Sequence, residues 1–431
     1  MVDLSVLFLL KGLIGAYVLA HGFSHVSDDD YARTVIAEEF AHHPRFDPSG
    51  TSWLPLPFWV SGAAMILCGR SLGAARAVAV VLGIASTAAP YAALRAGGAS
   101  RRTSFVASAV AMAIPWNAWL GVATVPEAWA GAIAAAAMLA FGNPAARPFC
   151  AGALLAASLA RYETWPACAV FAAFSLASAT RRGFATPRDH AAREIVQGFI
   201  AMAGIALWMA WNSHAHGSAL HFLDRVSAFR RASGSVHMPL REKLLDYPRA
   251  LVRETPEAFG LGLVALTALI GSATYRRRWL PTSLAMLSVL AFLILGDVRD
   301  GAPTHHPERA LTALWWLLIG LGSDAVAHGA ATWRISRVAV AGVAGLAGVV
   351  WAASLPGRWR TAPGTSTWDR RDAQIARGLD LRTRRVASVD ILPCSFEHFA
   401  LLAAWGQPER ARIEAPAHQP PTSACPGVIE R

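Results

Sequence analysis

The sequence has little charge and almost no lysine. Only 16% of its 431 residues are charged, whereas 54% are hydrophobic, and lysine occurs only at Lys11 and Lys243. Soluble globular domains contain about 25% charged residues. The mean hydropathy of +0.37 is also high for a soluble chain. These values exclude an ordinary soluble protein and indicate a membrane protein.

The chain also lacks the signatures of several enzyme classes. No P-loop, GxGxxG unit, GxSxG elbow or HExxH motif occurs in a supporting context, which disfavours ATP-driven transport, dinucleotide chemistry and zinc proteolysis. Its five cysteines show no metal-ligand spacing. Cys394 and Cys425 lie in the polar C-terminal part, and we expect that they can form a disulfide if that part is exported.

Apolar segments of roughly 15 to 20 residues recur along the chain and predict about eleven transmembrane helices. The first segment has no basic leader and no convincing cleavage site, so we predict a retained span rather than a signal peptide. The predicted spans are residues 4–22, 76–94, 104–121, 128–141, 149–160, 164–179, 195–212, 259–274, 280–296, 310–327 and 336–355. We therefore predict an all-α polytopic membrane protein with a transmembrane module over residues 1–355 and a small exported region over residues 356–431.

Arginine occurs in short clusters between the apolar segments, and these clusters predict the topology, because they favour the cytoplasm when they lie near span ends. The clusters are Arg95/Arg101/Arg102, Arg181/Arg182 and Arg276/Arg277/Arg278. All three are cytoplasmic only if residues 53–69 do not cross the membrane. We therefore predict that residues 53–69 form a juxtamembrane or re-entrant helix. The clusters also account for the net charge of +11, so we expect no nucleic-acid partner.

With this topology, most of the polar segments face the outside, and the first of them is strongly acidic. It contains Asp28, Asp29 and Tyr31, within the sequence Ser-Asp-Asp-Asp-Tyr. Adjacent carboxylates repel one another, which raises at least one pKa unless a cation offsets the charge. Such a cluster can supply a general base or ligands for a divalent metal ion. It can equally be a solvated loop that caps the following helix.

Two shorter outer segments add further candidates. Glu127 follows Pro126 at one turn, and Arg161 and Glu163 flank a tyrosine at another. Charged residues between apolar spans are costly unless they face a cavity or pair with each other. Arg161 and Glu163 can therefore contact a substrate or simply form an ion pair. Glu127 can likewise be a residue at a helix N-terminus without a role in a site.

The late outer loop, residues 297–309, ends in His306, Pro307, Glu308 and Arg309. An arginine at this position can hold a phosphate through two parallel hydrogen bonds at the membrane surface. His306 can add a donor, although adjacent histidines without a third spaced ligand are weak evidence for a metal site. The alternative is a polar turn with an interfacial arginine.

The order of these motifs resembles the GT-C superfamily of polytopic glycosyltransferases, which includes the protein O-mannosyltransferases and the lipid A aminoarabinose transferases. The resemblance covers about residues 1–330. It rests on the acidic pair Asp28-Asp29 followed by Tyr31, on the Trp-Leu-Pro-Leu-Pro segment at 53–57, on Glu127, on Arg161-Tyr162-Glu163 and on the segment from His306 to Arg309.

The resemblance implies an enzyme that uses a polyprenyl-phosphate-linked sugar as donor, in the bacterial inner membrane, with its site facing the periplasm or cell exterior. It implies that Asp28 is the base, with Asp29 as its partner or as a co-ligand of a divalent metal, and that transfer inverts the anomeric carbon. The remaining residues, Tyr31, Glu127, Arg161, Glu163, His306, Glu308 and Arg309, would bind substrate. The acceptor would be a lipid, a glycan or a protein.

Two other functions remain open from the residues alone. A secondary transporter or flippase would carry its charges at mid-bilayer in broken helices, with repeated halves. A non-catalytic scaffold would bind a partner through residues 356–431 and would not need Asp28 or Arg309.

Overall fold

The computed structural model of the protein describes residues 2–182, 188–232, 239–299, 306–332, 337–392, 396–413 and 427–430. These residues are mainly helical. The helices are α1 (Val2–Ala20), α2 (Asp29–His42), α3 (Leu56–Cys68), α4 (Leu72–Ala85), α5 (Ala88–Ala96), α6 (Arg101–Ala113), α7 (Pro115–Leu120), α8 (Glu127–Ala140), α9 (Arg147–Ser158), α10 (Trp165–Arg182), α11 (Arg188–His216), α12 (His221–Ala232), α13 (Leu240–Glu254), α14 (Pro256–Gly271), α15 (Ala273–Val298), α16 (Pro307–Ala310), α17 (Thr312–Thr332), α18 (Arg337–Trp359), α19 (Thr365–Thr383) and α20 (His398–Trp405). The strands are β1 (Val389–Leu392), β2 (Ala411–Ile413) and β3 (Gly427–Glu430).

Each predicted span falls on one helix or on two consecutive helices. The third span, for example, covers α6 and α7, because Pro115 lacks the N–H that would continue α6 and begins a new helix instead. Among the described residues, four stretches are long and apolar enough on their own to cross a membrane: Val2–Ala20, Leu72–Ala96, Ala191–His216 and Ala273–Val298. The predicted all-α polytopic membrane fold is confirmed.

Helix α8 lies at the centre of the bundle and is buried along most of its length. It is rich in alanine, which lets neighbouring helices approach closely. At Gly131 a Cβ atom would lie 2.8 Å from the Cβ of Thr312, so α17 packs directly against the backbone of α8. This contact places Glu127, the first residue of α8, beside Arg309, which precedes α17.

The loops that carry Arg101 and Arg278, here called the basic loops, lie at one end of α1. The acidic loop between α1 and α2, here called the first loop, follows the other end. At the start of α1, Asp3 accepts two hydrogen bonds from Arg101, at 2.7 and 2.8 Å. Arg278 donates to the carbonyl of Gly97, close to the same loop. A helix of 19 residues is about 28 Å long, which matches the roughly 30 Å thickness of the bilayer hydrocarbon core. The basic loops and the first loop therefore lie about a membrane thickness apart.

Within the segment 53–69, residues Leu56–Cys68 form α3, and both flanks of this helix contact the end of the bundle that carries the first loop. At the start of α3, the N–H of Leu56 donates to the carbonyl of Leu159 at 3.1 Å. After its end, the side chain of Arg76 donates to the carbonyl of Ser24 in the first loop at 2.9 Å. The chain therefore enters and leaves α3 on one side, which agrees with the predicted juxtamembrane or re-entrant position.

The C-terminal part forms a small α/β unit. Its strands have the order β2-β1-β3, with β1 parallel to β2 and antiparallel to β3. Helices α19 and α20 pack so closely that a Cβ at Gly378 would overlap the carbonyl oxygen of Leu401. The apolar core of this unit includes Tyr31 and Val35 of α2. Cys394 and Cys425 lie outside the described residues, so their predicted disulfide stays a prediction.

Candidate active site

The first loop is tied to the loop before α8 by a buried aspartate. Asp30 accepts hydrogen bonds from the backbone N–H groups of Val26 (3.1 Å), Ser27 (3.2 Å) and Thr124 (2.9 Å). The hydroxyl of Thr124 also donates to the backbone carbonyl of Asp30 at 2.6 Å. These bonds fix the rotation of α2 about its axis and so determine where the carboxylates of Asp28 and Asp29 lie.

Glu127 is the centre of a buried chain of ion pairs. Its Oε1 atom accepts hydrogen bonds from Arg161 Nη1 at 2.7 Å and from Arg309 Nε and Nη2 at 3.0 and 2.6 Å. Arg309 also donates to Asp29 at 2.8 Å, and Arg161 donates to Glu163 at 2.6 Å. We call these five residues, in the order Asp29, Arg309, Glu127, Arg161 and Glu163, the charge cluster. Each arginine thus lies between two carboxylates.

The charge cluster is not fully satisfied by its own members. Glu127 Oε2, Arg161 Nη2 and Glu163 Oε2 are buried and have no hydrogen-bond partner among the described residues. An unpaired buried polar atom costs roughly 1–3 kcal/mol, and more when the group is charged. The cluster therefore keeps donor and acceptor atoms available for a polar ligand.

Two cavities adjoin the charge cluster, and they differ in character. The first, of about 40 Å³, is lined by charged and aromatic side chains that include Asp29, Arg33, Trp53, Arg161, Glu163 and Arg309. The second, of about 10 Å³, is bordered by Glu127, Arg161 and Glu163 and otherwise mainly by small or apolar residues of α8, α15 and α17 such as Ala130, Ala134, Met138 and Val289. Arg161 and Glu163 border both cavities. The charge cluster therefore presents charged groups to one cavity and lies beside apolar surface at the other.

The structure separates the two aspartates that the sequence presents as a pair. The carboxylate of Asp28 accepts two hydrogen bonds from Arg371 of α19, at 2.6 and 2.9 Å. The carboxylate of Asp29 lines the first cavity, and 40% of its side chain is exposed. Burial disfavours the charged form of Asp29, but Arg309 and Arg33 outweigh this effect and lower its pKa. Asp29 is therefore the aspartate that a ligand in the cavity would meet.

Three other predicted site residues lie outside the first cavity. Tyr31 is fully buried, with its hydroxyl 3.0 Å from Ser24 Oγ and its ring in the core of the C-terminal unit. Glu308 is buried and accepts a hydrogen bond from Arg253 at 3.1 Å. His306 is the residue before α16 and is partly buried. The structure brings together Asp29, Glu127, Arg161, Glu163 and Arg309, and it places Asp28, Tyr31, His306 and Glu308 around them.

Two arginines at the site were not predicted. Arg33 lines the first cavity. The sequence signal that could have indicated it is its spacing, because Arg33 follows Asp29 by four residues in the same helix, α2. Arg371 binds Asp28 from a segment that the resemblance does not cover. No local pattern could have linked Arg371 to a residue 343 positions earlier.

Asp28 and Asp29 do not form a pair of metal ligands in this arrangement. Each carboxylate faces a different guanidinium group, from Arg371 and Arg309 respectively, so a positive charge already lies where a cation would bind. No group of three or more His, Cys, Asp or Glu side chains suited to a metal ion occurs in the described part of the chain. The residues present do not fit the divalent metal that the resemblance allows.

No protein-family model matches the chain, and no curated protein sequence matches it significantly. Among solved structures, it is similar to two crystal structures of ArnT from Cupriavidus metallidurans, one in the apo state and one bound to undecaprenyl phosphate. Each match has a TM-score of 0.55, covers 94% of this chain and 75% of ArnT, and has 14% or 15% sequence identity. At this identity the likeness shows the fold alone, and the chain therefore has a fold similar to that of ArnT.

Proposed function

We propose that this protein is a glycosyltransferase that moves a sugar from a polyprenyl-phosphate-linked donor to an acceptor hydroxyl. The observation that carries the proposal is the position of the charge cluster between a charged cavity and an apolar cavity. A polyprenyl-phosphate sugar has the same two parts, a charged head and an apolar chain. The shared fold supports this donor class, since one of the similar ArnT structures is bound to undecaprenyl phosphate.

In the proposed reaction, the acceptor oxygen forms a bond to the anomeric carbon of the sugar, and the bond from that carbon to the phosphate oxygen breaks. Asp29 accepts the proton of the acceptor hydroxyl, and the leaving phosphate keeps the electron pair. Because Asp29 loses one negative charge as the phosphate gains one, the total charge of the site stays constant. Direct displacement of this kind inverts the anomeric carbon.

The base is proposed to be Asp29 rather than Asp28 for a geometric reason. A general base must lie within hydrogen-bond reach of the proton that it removes. Asp29 lines the cavity, whereas both oxygens of Asp28 accept hydrogen bonds from Arg371. Arginine side chains also line this cavity, and their positive charge offsets the charge that develops on the phosphate.

We further propose that the protein lies in the inner membrane of a bacterium, with the charge cluster at the outer face. Support comes from the basic residues Arg95, Arg101 and Arg278, which lie at the end of the bundle remote from the first loop. Arginine near span ends favours the cytoplasm. The acceptor is then a hydroxyl of a lipid, a glycan or a protein that is exposed on the outer side.

The test is transfer of radiolabelled sugar from a panel of polyprenyl-phosphate sugars, in membranes that contain the wild-type protein, Asp29→Asn or Asp380→Asn. Asp380 lies on the exposed surface of α19, where it pairs with Arg384, and serves as a control for the same chemical change. We expect labelling by the wild type and by Asp380→Asn, and a loss of about 100-fold or more in Asp29→Asn. Equal labelling by Asp29→Asn would remove Asp29 as the base. Absence of labelling from every donor would favour a transporter or a scaffold.

A further inference from the structure

Arg33 differs from the other arginines of the first cavity because it forms no ion pair with a carboxylate among the described residues. Arg33 is only 8% exposed, and its Nε atom is buried without a hydrogen-bond partner among the described residues. Within the described ranges, no carboxylate forms an ion pair with it. A buried charge without a partner is strongly unfavourable, and burial lowers the pKa of Arg33 to about 10, so it remains protonated near neutral pH. Glu127 and Asp29 act on Arg33 only through space, so its hydrogen-bond donors remain available for an anionic ligand.

The two other cavity arginines are already committed to carboxylates. Arg309 donates to Glu127 through two of its nitrogens and to Asp29 through the third. Arg161 donates to Glu127 and Glu163, which leaves only its Nη2 atom without a partner. The donors that remain for a ligand in the cavity are therefore those of Arg33 and one nitrogen of Arg161.

The guanidinium of Arg33 is held by aromatic rings rather than by hydrogen bonds. Its Cζ atom lies 4.5 Å from the centre of the Trp53 ring and 5.6 Å from that of Phe58. A ring that packs against the face of a guanidinium group orients it through the cation–π interaction and leaves the in-plane N–H donors free. These donors form a fork that matches two phosphate oxygens.

We propose that Arg33, with Nη2 of Arg161, binds the phosphate of the lipid-linked donor, and that Arg309 instead positions Asp29 and Glu127. The inference rests on the proposed function, because it assigns the phosphate of that donor to particular side chains. It reverses the expectation from the sequence, in which Arg309 meets the phosphate. Trp53 then acts as a positioning residue for Arg33.

The experiment measures equilibrium binding of radiolabelled undecaprenyl phosphate to the purified full-length protein in lipid nanodiscs. Uncharged undecaprenol serves as the matched probe without the phosphate. The variants are Arg33→Gln and Arg33→Lys, with Arg45→Gln as control, because Arg45 lies half-exposed on the surface and its loss changes the net charge equally. Losing hydrogen bonds from a charged donor to a phosphate weakens binding by about 10- to 100-fold.

We expect Arg33→Gln to bind undecaprenyl phosphate about 10- to 100-fold more weakly and undecaprenol as the wild type does. Arg33→Lys keeps the charge but loses the fork and should fall between the two, and Arg45→Gln should bind normally. Wild-type affinity of Arg33→Gln for undecaprenyl phosphate would overturn the inference and leave the proposed function standing. An equal loss for both lipids would also overturn it, since it would show a change of cavity shape.

Two further outcomes separate this inference from its basis. If phosphatidylglycerol displaces undecaprenyl phosphate as well as unlabelled undecaprenyl phosphate does, the subsite binds bulk lipid headgroups and the inference fails. Both the inference and the proposed function fail if two results occur together. The wild type would bind undecaprenyl phosphate no more tightly than undecaprenol, and it would transfer sugar from no polyprenyl-phosphate donor.

Discussion

Replacing Glu127 by glutamine tests whether one carboxylate holds the charge cluster together. Its Oε1 atom accepts three hydrogen bonds from two buried arginines. The neutral amide weakens each bond from the charged range of about 1.5–3 kcal/mol to the neutral range of about 0.5–1.5 kcal/mol, which gives a total loss of about 3 kcal/mol. Because Arg161 and Arg309 each keep a second carboxylate, the loss should not exceed about 3–5 kcal/mol, the usual cost of breaking a buried ion pair.

The free energy of unfolding can be measured by titration with SDS in mixed micelles. Asp380→Asn breaks an exposed ion pair on α19 and should change this free energy by less than about 1 kcal/mol. The double variant Glu127→Gln/Arg309→Gln should be at least about 1 kcal/mol more stable than the sum of the single effects predicts, since the two residues interact directly. Additive effects, or a loss in Glu127→Gln no larger than in Asp380→Asn, would refute the reasoning.

Two further predictions concern the contact between α2 and the C-terminal unit. Glu38 is fully buried, its two carboxyl oxygens have no hydrogen-bond partner within the described ranges, and burial raises its pKa well above its ordinary value. The folded protein then keeps a proton that the unfolded chain loses above about pH 4.3, so stability falls as the pH rises, and Glu38→Gln should be more stable than wild type at pH 8 but not at pH 4.5. Parallel pH dependence of the two unfolding free energies would contradict this. Arg371→Gln removes the paired hydrogen bonds to Asp28 and an ion pair to Glu397, and hydrogen–deuterium exchange in α19 should become faster. Arg384→Gln breaks exposed ion pairs to Asp380 and Glu430 and should change the exchange much less. Equal exchange in both variants would show that the buried contacts of Arg371 do not hold α19.

The sequence was sufficient to predict the helices and the loops that carry the site. Apolar length locates each span, and the costly charges between spans mark Glu127, Arg161, Glu163 and Arg309 as residues that need a partner or a cavity. It could not show that one oxygen of Glu127 accepts bonds from both arginines. That depends on close packing at Gly131, which sets how far α17 approaches α8.

The sequence also could not show which of the adjacent aspartates faces the cavity. Successive residues of a helix point about 100° apart, so Asp28 and Asp29 at the start of α2 must face different surroundings. The direction of each depends on the rotation of α2, which the bonds between Asp30 and Thr124 fix. This contact joins two loops 94 residues apart, and no local pattern encodes it.

The composition of the charge cluster favours a chemical role over a purely structural one. Replacing a buried ion pair by packed apolar residues is often neutral or stabilising, so stability alone does not explain why four segments of the chain meet through charges. A purely structural network would also provide hydrogen-bond partners for all of its own polar atoms. Here three buried atoms have no partner among the described residues: one oxygen each of Glu127 and Glu163 and one nitrogen of Arg161. A polar ligand in the adjoining cavities would complete these bonds. The same argument applies to Arg33, whose buried Nε atom has no hydrogen-bond partner among the described residues and would gain one from an anionic ligand.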